Sequence, residues 1–196
     1  ELTVRGRPLP DGFWTMSTLE VTRSVLGMVL VSDIGGERTA GRIVEAEAYL
    51  KDDPASHSSR GITKRNAPMF GPPGLAYVYF TYGNHWCLNF VTAPKGHGEA
   101  VLIRALEPLE GLDAMARRRG RAAPRDLLSG PGKICQAMGI DGSLNGHPLA
   151  LPPLTLLRDR WEPGEIAARP RIGISQSVDK PWRLYPVRSR EWVSRR

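Results

Sequence analysis

Alternation of apolar and polar residues predicts a β-hairpin near the start of the chain. Ser17 and Glu20 have the spacing of a capping box, which predicts a helix over residues 18–26, ended by a glycine. The apolar run over residues 28–31 predicts a strand, and the Asp-Ile-Gly-Gly segment that follows can turn the chain. Residues 42–49 alternate and predict the returning strand of the hairpin.

Short strands separated by polar turns also dominate the rest of the pattern. The further predicted strands span residues 76–81, 86–92, 100–106, 154–157, 171–174 and 182–185. Two more helices are expected, one over residues 109–119 and one that ends near residue 138. We therefore expect a single α+β domain over residues 1–196, built on a mostly antiparallel sheet.

Two acidic residues and a tyrosine share one face of the returning strand. Because side chains alternate along a strand, Glu45, Glu47 and Tyr49 point the same way. A solvated polar face is the ordinary explanation of such alternation. The strand, however, runs directly into an irregular loop over residues 50–73 that carries His57, and a rigid strand beside such a loop is typical of a functional site. Spacing alone does not choose between the two glutamates.

Tyrosines are concentrated in the segment AYVYFTYGNHW, which predicts a second hairpin. Tyr77 and Tyr79 share one face of its first strand, and Tyr82 begins the polar turn. Aromatic rings can stack on nucleobases, and an aromatic residue at a hairpin tip can wedge into a base stack. Core packing is the competing explanation, and we favour it for Tyr77.

A basic charge indicates an acidic partner only weakly. The formal net charge of +7 would attract a phosphate backbone. However, 22 Arg against five Lys, with 21 Gly and 17 Pro, also fits a genome of biased nucleotide composition. In the segment SGPGK, Gly132 and Lys133 could hold a DNA phosphate at a helix N-terminus. A plain loop-to-helix junction explains this segment nearly as well.

Membrane, export and metal signals are missing from the sequence. No apolar run is long enough for a membrane span, and no export signal is visible, so we expect a cytoplasmic protein, associated with the nucleoid if bacterial. Cys87 and Cys135 are expected to be buried free thiols, and the four histidines lack the spacing of metal ligands. A metal-dependent hydrolase and a noncatalytic nucleic-acid-binding module are two functions that these residues leave open.

Six segments in order resemble one family, the alkyladenine (3-methyladenine) DNA glycosylases. They cover most of the chain from about residue 26 to about residue 140. The six segments are GRIVEAEAYL, ASHSSRG, RNAPMFGPPG, YVYFTYGNHWCLN, VLIRALEPLEGL and SGPGKICQAMGI. The segments RPRIGIS and PWRLY also resemble the family but are less diagnostic.

This resemblance implies both a fold and an activity. The implied fold is a single domain with a curved, barrel-like, mostly antiparallel sheet, peripheral helices and a protruding β-hairpin. The implied activity is that of a monofunctional glycosylase of base excision repair, which flips a nucleotide out of damaged double-stranded DNA and hydrolyses the N-glycosidic bond. Alkylated or deaminated purines are the implied substrates: 3-methyladenine, 7-methylguanine, hypoxanthine and ethenoadenine. No cofactor is implied, and we expect a monomer.

The resemblance also assigns residues to the base-binding site. Glu47 matches the general base of the family, and Arg104 matches an arginine near the catalytic water. Asn89 matches the residue that crowds the exocyclic amino group of normal guanine. The residues that match those around the flipped base are Tyr49, His57 and Tyr79.

A further group of residues is expected to contact DNA. Tyr82 matches the tyrosine that intercalates at the vacated position. Asn84 and His85 follow it where the vertebrate members have larger apolar or aromatic residues, which puts the strength of the wedge in question. Gly132 and Lys133 are expected at a phosphate.

Overall fold

An eight-stranded antiparallel sheet organises the chain in the computed structural model, which describes residues 3–81, 83–121 and 123–195. The strands are β1 (Val29–Ile34), β2 (Glu37–Tyr49), β3 (Ala76–Thr81), β4 (His85–Thr92), β5 (Glu99–Glu110), β6 (Leu154–Leu157), β7 (Ile166–Arg169) and β8 (Arg183–Pro186). The main path runs β3-β4-β5-β2-β1-β6, while β8 pairs with both β2 and β7. The sheet curls into a half-barrel, which confirms the predicted α+β fold.

Short helices pack against this sheet. They are α1 (Thr18–Ser24), α2 (Leu112–Arg119), α3 (Pro124–Leu127) and α4 (Pro131–Met138). The capping box before α1 is confirmed, because the side chain of Ser17 accepts from the Glu20 amide while the Glu20 carboxylate accepts from the Ser17 amide. The loop over residues 50–73 contains two 3₁₀ helices, His57–Arg60 and Ala67–Phe70. None of the helices described is long and apolar enough to cross a bilayer.

The central strand β2 changes neighbours halfway along its length. Its first part pairs with β1, whereas Ala46 and Glu47 pair with β8. Along its other edge β2 pairs with β5, and there the register skips Val44 on β2 and Arg104 on β5. Bulges of this kind re-aim side chains and are common beside active sites. The side chain of Arg104 is thereby brought to the acidic face of β2.

The two faces of the sheet are both covered. One face carries the main apolar core, in which Leu30, Ile43 and Phe90 pack with residues of α1, α2 and α4. On the opposite face, Glu45 and Glu47 have no exposed surface at all. The explanation of the acidic alternation as a solvated face is therefore wrong, because other parts of the chain enclose it.

Two predicted elements differ from the structure. The predicted strand at residues 171–174 is wrong: the strand in this region is β7, and the chain after it is irregular. Gly173 has a φ of 74°, which interrupts an extended run. The predicted helix at residues 109–119 begins late, because residues 109 and 110 continue β5. Cys87 and Cys135 are buried and free, as predicted.

Candidate active site

A cavity of about 340 Å³ opens beside β3, β4 and β5, on the face of the sheet opposite the main core. This volume lies in the range of small-molecule binding sites. Residues 172–174 and the start of α4 complete its wall. Seven of the predicted site residues line the cavity: Tyr49, His57, Tyr79, His85, Asn89, Arg104 and Gly132.

Glu47 lies directly behind the cavity wall. Its Oε1 accepts from the Tyr49 hydroxyl at 3.1 Å and from Nη1 of Arg104 at 3.4 Å. Its Oε2 accepts from the backbone amide of Ile172 at 2.7 Å. All three of these partners line the cavity. The Glu47 carboxylate is therefore separated from the contents of the cavity by the groups that donate hydrogen bonds to it.

Burial raises the pKa of the Glu47 carboxyl above its ordinary value. The positive charge of Arg104 is the largest opposing influence, and the bonds from Ile172 and Tyr49 also favour the ionised form. The neighbouring Glu45 charge adds to the rise. A carboxyl whose pKa lies above the usual range is a better proton acceptor when it is ionised.

Glu45 has different surroundings, although it points from the same face. One of its oxygens is bound by the hydroxyl and amide of Ser194, and the same oxygen lies 3.4 Å from Nε of Arg104. The other oxygen accepts from Nη1 of Arg183 at 3.1 Å. Glu45 is thus held in a buried network that ties β2 to β8 and to the end of the chain, and it does not line the cavity.

Aromatic rings form one wall of the cavity. The His57 and Tyr79 rings meet edge to face with centroids 4.3 Å apart, and Tyr77 and Tyr79 are 5.5 Å apart. Nδ1 of His57 lies 3.1 Å from the Tyr77 hydroxyl. Burial, with the nearby Arg65 charge, lowers the pKa of His57, so its ring is neutral at pH 7. Burial raises the pKa of Tyr77 to about 12.

Tyr77 and Asn89 face each other across the β3–β4 pair. Tyr77 is 1% exposed and packs with Met69, Val91 and Ala100, which confirms the expected core packing, although its ring also reaches the cavity. The Asn89 amide donates to the Tyr77 carbonyl at 3.2 Å. Asn89 is therefore held rigidly at the cavity wall.

The part of the cavity that is lined by Thr81, His85 and Gly132, beside the turn between β3 and β4, is called the cavity mouth below. Tyr82 falls outside the described residues. Asn84 is exposed, and His85 lies against Gly132 at the start of α4, so close that a Cβ built on that glycine would be 2.9 Å from the histidine ring. Lys133 is bound to Asp126 at 2.6 Å and to the Ser129 hydroxyl at 3.2 Å. Of the predicted pair in the SGPGK segment, only Gly132 lines the cavity.

Several residues at the site escaped prediction from sequence. Arg171 is completely buried beside Tyr49 and pairs with Asp53. The Asn66 side chain donates to the carbonyls of His57 and Gly61, at 3.0 Å each, and so fixes the histidine loop. These contacts join positions far apart in the chain. In the sequence, Arg171 and Asn66 stood out only because they fall in RPRIGIS and RNAPMFGPPG, two segments that resemble the family.

Metal ligands do not cluster in the part of the chain that the structure describes. Within residues 3–81, 83–121 and 123–195, no three histidine, cysteine, aspartate or glutamate side chains come close enough to hold an ion. Among these residues the metal-dependent alternative therefore has no candidate donor set.

Comparison with known proteins agrees with the geometry. Residues 12–190 match the family described as "Methylpurine-DNA glycosylase (MPG)". A protein from Granulibacter bethesdensis is 51% identical over 96% of this chain and 88% of its own length. A protein from Nitrosospira multiformis is 52% identical over 89% and 88%, and one from Methanoculleus marisnigri is 50% identical over 96% and 99%.

All three relatives are assigned by name as 3-methyladenine DNA glycosylases. The matched family covers most of the chain, and the six segments singled out from the sequence fall within it. The chain is therefore a DNA glycosylase, a hydrolase, and belongs to the methylpurine-DNA glycosylase family.

Proposed function

We propose that this chain removes alkylated or deaminated purines from double-stranded DNA by hydrolysing the N-glycosidic bond, with Glu47 activating the water. One observation supports this most directly: the three groups that hold the Glu47 carboxylate, from Tyr49, Arg104 and Ile172, all line the aromatic cavity. Because a base in a duplex cannot reach such a cavity, the nucleotide has to be flipped out first, at a cost of a few kcal/mol.

The cavity wall suits a purine that has lost electron density. The rings of Tyr49, His57 and Tyr79 offer π-faces and edges to a flat ligand, and alkylated purines are electron-poor. His57 is neutral, so it adds no positive charge that would repel a cationic base. We propose that Asn89, whose side chain donates to the Tyr77 carbonyl, crowds the exocyclic amino group of normal guanine. The proposed substrates are 3-methyladenine, 7-methylguanine, hypoxanthine and ethenoadenine.

The chemistry requires a negative charge near the sugar. Breaking the glycosidic bond builds positive charge on deoxyribose, which a carboxylate stabilises while it takes a proton from water. In the contacts among described residues, Oε2 of Glu47 accepts only the Ile172 amide bond, which leaves a lone pair for a water; because the carboxylate is fully buried here, we propose that this water reaches it only when the lesion is bound. The positive charge of Arg104 favours the ionised carboxylate and opposes the effect of burial on its pKa. No cofactor takes part in this scheme.

DNA binding would use the cavity mouth. We propose that Tyr82 fills the vacated position in the duplex, with Asn84, His85 and the Gly132 amide beside it on the damaged strand. Lys133 would reach a phosphate only by sharing its charge with Asp126. The residues that line the cavity all come from one chain, and we propose that the enzyme acts as a monomer.

The test uses duplexes that each contain one proposed lesion, with enzyme in excess and chelator present, and scores abasic sites over time. Glu47→Gln keeps the shape of the side chain and should retain lesion binding while excision falls about 10²- to 10⁴-fold. A noncatalytic binding module would hold the same duplexes and leave every base in place. Absence of abasic sites with the unaltered protein, or unchanged excision by Glu47→Gln, would overturn the proposal.

A further inference from the structure

We propose that Arg171, paired with Asp53, is a positioning residue for catalysis that fixes the Glu47 carboxylate from two sides at once. This inference rests on the proposed function of Glu47. Arg171 does not line the cavity, so it acts through its neighbours and not on the DNA.

The guanidinium of Arg171 is completely buried in a built site. It forms a two-pronged pair with Asp53, whose side chain is equally inaccessible, and its Nη1 donates to the Ala48 carbonyl at 2.9 Å. Its central carbon lies 4.7 Å from the Tyr49 ring centroid and 5.1 Å from that of Trp182. Paired guanidinium groups stacked on aromatic faces are rigid, because the planar fork permits little rotation.

Both oxygens of Glu47 depend on groups that Arg171 holds. Oε1 accepts from the hydroxyl of Tyr49, whose ring lies under the guanidinium. Oε2 accepts from the amide of Ile172, which directly follows Arg171 in the chain. The chain around Ile172 belongs to no regular element, so no sheet ladder fixes that amide. The contacts of Arg171 with Ala48 and Asp53 tie this segment to the end of β2 and the loop after it, and Arg183 of β8 adds a bond to the neighbouring Pro170 carbonyl.

A second Arg–Asp pair provides a matched control. Arg42 binds Asp159 through both terminal nitrogens at 3.0 and 2.9 Å, donates to a backbone carbonyl, and stacks on Trp161 at 5.0 Å. Its chemistry thus copies that of Arg171. Neither Arg42 nor its partners line the cavity or contact Glu47. The Arg42 pair is less buried, with side-chain exposures of 10% and 26% against 0% for both members of the Arg171 pair, so a merely structural loss should be smaller in Arg42→Met but should leave the pH profile in place in both variants.

The pH profile of excision distinguishes a positioning role of Arg171 from a role that only stabilises the fold. The groups facing Glu47 are Arg104 from β5, Glu45 and Tyr49 from β2, and the Ile172 amide, while Arg183 from β8 is bound to Glu45. The bonds from Tyr49 and Ile172 lower the pKa of Glu47, so loosening them raises it. Because the base must be ionised, the acid limb of the profile then moves to higher pH.

The experiment measures single-turnover excision from pH 5 to pH 9 for the full chain, Arg171→Met, Arg171→Lys and Arg42→Met, with a thermal melt of each. We expect both methionine variants to melt lower, but only Arg171→Met to move the acid limb, by about one pH unit, which is tenfold in rate on that limb. Arg171→Lys keeps the charge without the fork, and should fall between this variant and the unaltered protein.

Each outcome bears on one of the two proposals. A wild-type acid limb in Arg171→Met, or an equal displacement in Arg42→Met, would overturn the positioning role while leaving the proposed function intact. Failure of the unaltered protein to release any base would instead remove the proposed function itself. If Arg171→Met folds poorly, Asp53→Asn, which weakens the same pair from the other side, decides the question instead. A displaced acid limb in the pH profile of Asp53→Asn supports the positioning role of Arg171, and an unmoved acid limb contradicts it.

Discussion

Glu45 and Glu47 point from the same face of one strand, and replacing each by glutamine should have opposite effects. Glu45→Gln removes a buried negative charge shared by Arg104 and Arg183. Breaking a buried ion pair from one side costs about 3–5 kcal/mol, and the retained shape and acceptor of glutamine favour the lower end. At about 2–4 °C per kcal/mol for a chain of this length, the melting temperature should fall by about 6–12 °C. Excision should survive in the folded fraction.

Glu47→Gln should leave stability intact while excision falls about 10²- to 10⁴-fold. The raised pKa of Glu47 means that the fold favours its protonated form, so this residue's contribution is complete below the unfolded value of about 4.3. That contribution is lost as the pH rises through the raised pKa of the folded state. Glutamine imitates the protonated acid at every pH. The variant should therefore melt no lower than the unaltered protein at pH 8, with the difference disappearing near pH 4.

Thermal melts at pH 4 and pH 8, with single-turnover excision of a hypoxanthine duplex, measure both effects on the same samples. The roles that we assign to the two glutamates would be reversed if Glu45→Gln lost excision at an unchanged melting temperature. It would also fail if Glu47→Gln melted several degrees lower while abasic sites still accumulated at the normal rate.

Three further predictions concern specificity and DNA contact. Asn89→Ser should raise release of guanine from mispairs, and a rate no higher than normal would contradict the crowding role. Gly132→Ala places a methyl group 2.9 Å from the His85 ring and should weaken duplex binding, whereas Gly130→Ala, whose nearest neighbour is 3.6 Å away, should not. Equal affinities of the two variants would refute this. Tyr82→Ser should impair excision from duplex more than from single-stranded DNA, and equal losses on both would exclude the wedge.

Local patterns predicted much of the fold because the strands are short and bounded by turns. Strands β3 and β6 match their predictions in full, and the capping box before α1 forms as its spacing requires. The predicted strand at residues 171–174 failed for a tertiary reason. The alternation there is real, but the Ile172 amide bonds to a carboxylate and the Arg171 side chain turns inward to Asp53. Neither partner is visible within a local window.

The site was predicted less completely than the fold. The sequence placed Glu45 and Glu47 on one face beside the histidine loop, yet it left the two acids equal until the family resemblance distinguished them. What separates them in the structure is their partners, since Glu45 binds Ser194 and Arg183 near the end of the chain. Those contacts span more than 130 positions and depend on β8 pairing with β2. No local pattern carries that information.

Arg104 is shared between the two acids, and this sharing bears on the role that we propose for Glu47. Arg104 lies 3.4 Å from an oxygen of each glutamate, at the bulge where the β2–β5 register shifts. Because Glu45 also attracts that charge, Arg104 offsets only part of the effect of burial, and the pKa of the Glu47 carboxyl stays raised. The role that we propose for Glu47 requires a carboxylate that is charged, as the developing sugar cation demands, and basic enough to accept a proton from water. The second acid is therefore not a redundant copy: we infer that, by sharing Arg104, it helps to keep the pKa of Glu47 raised.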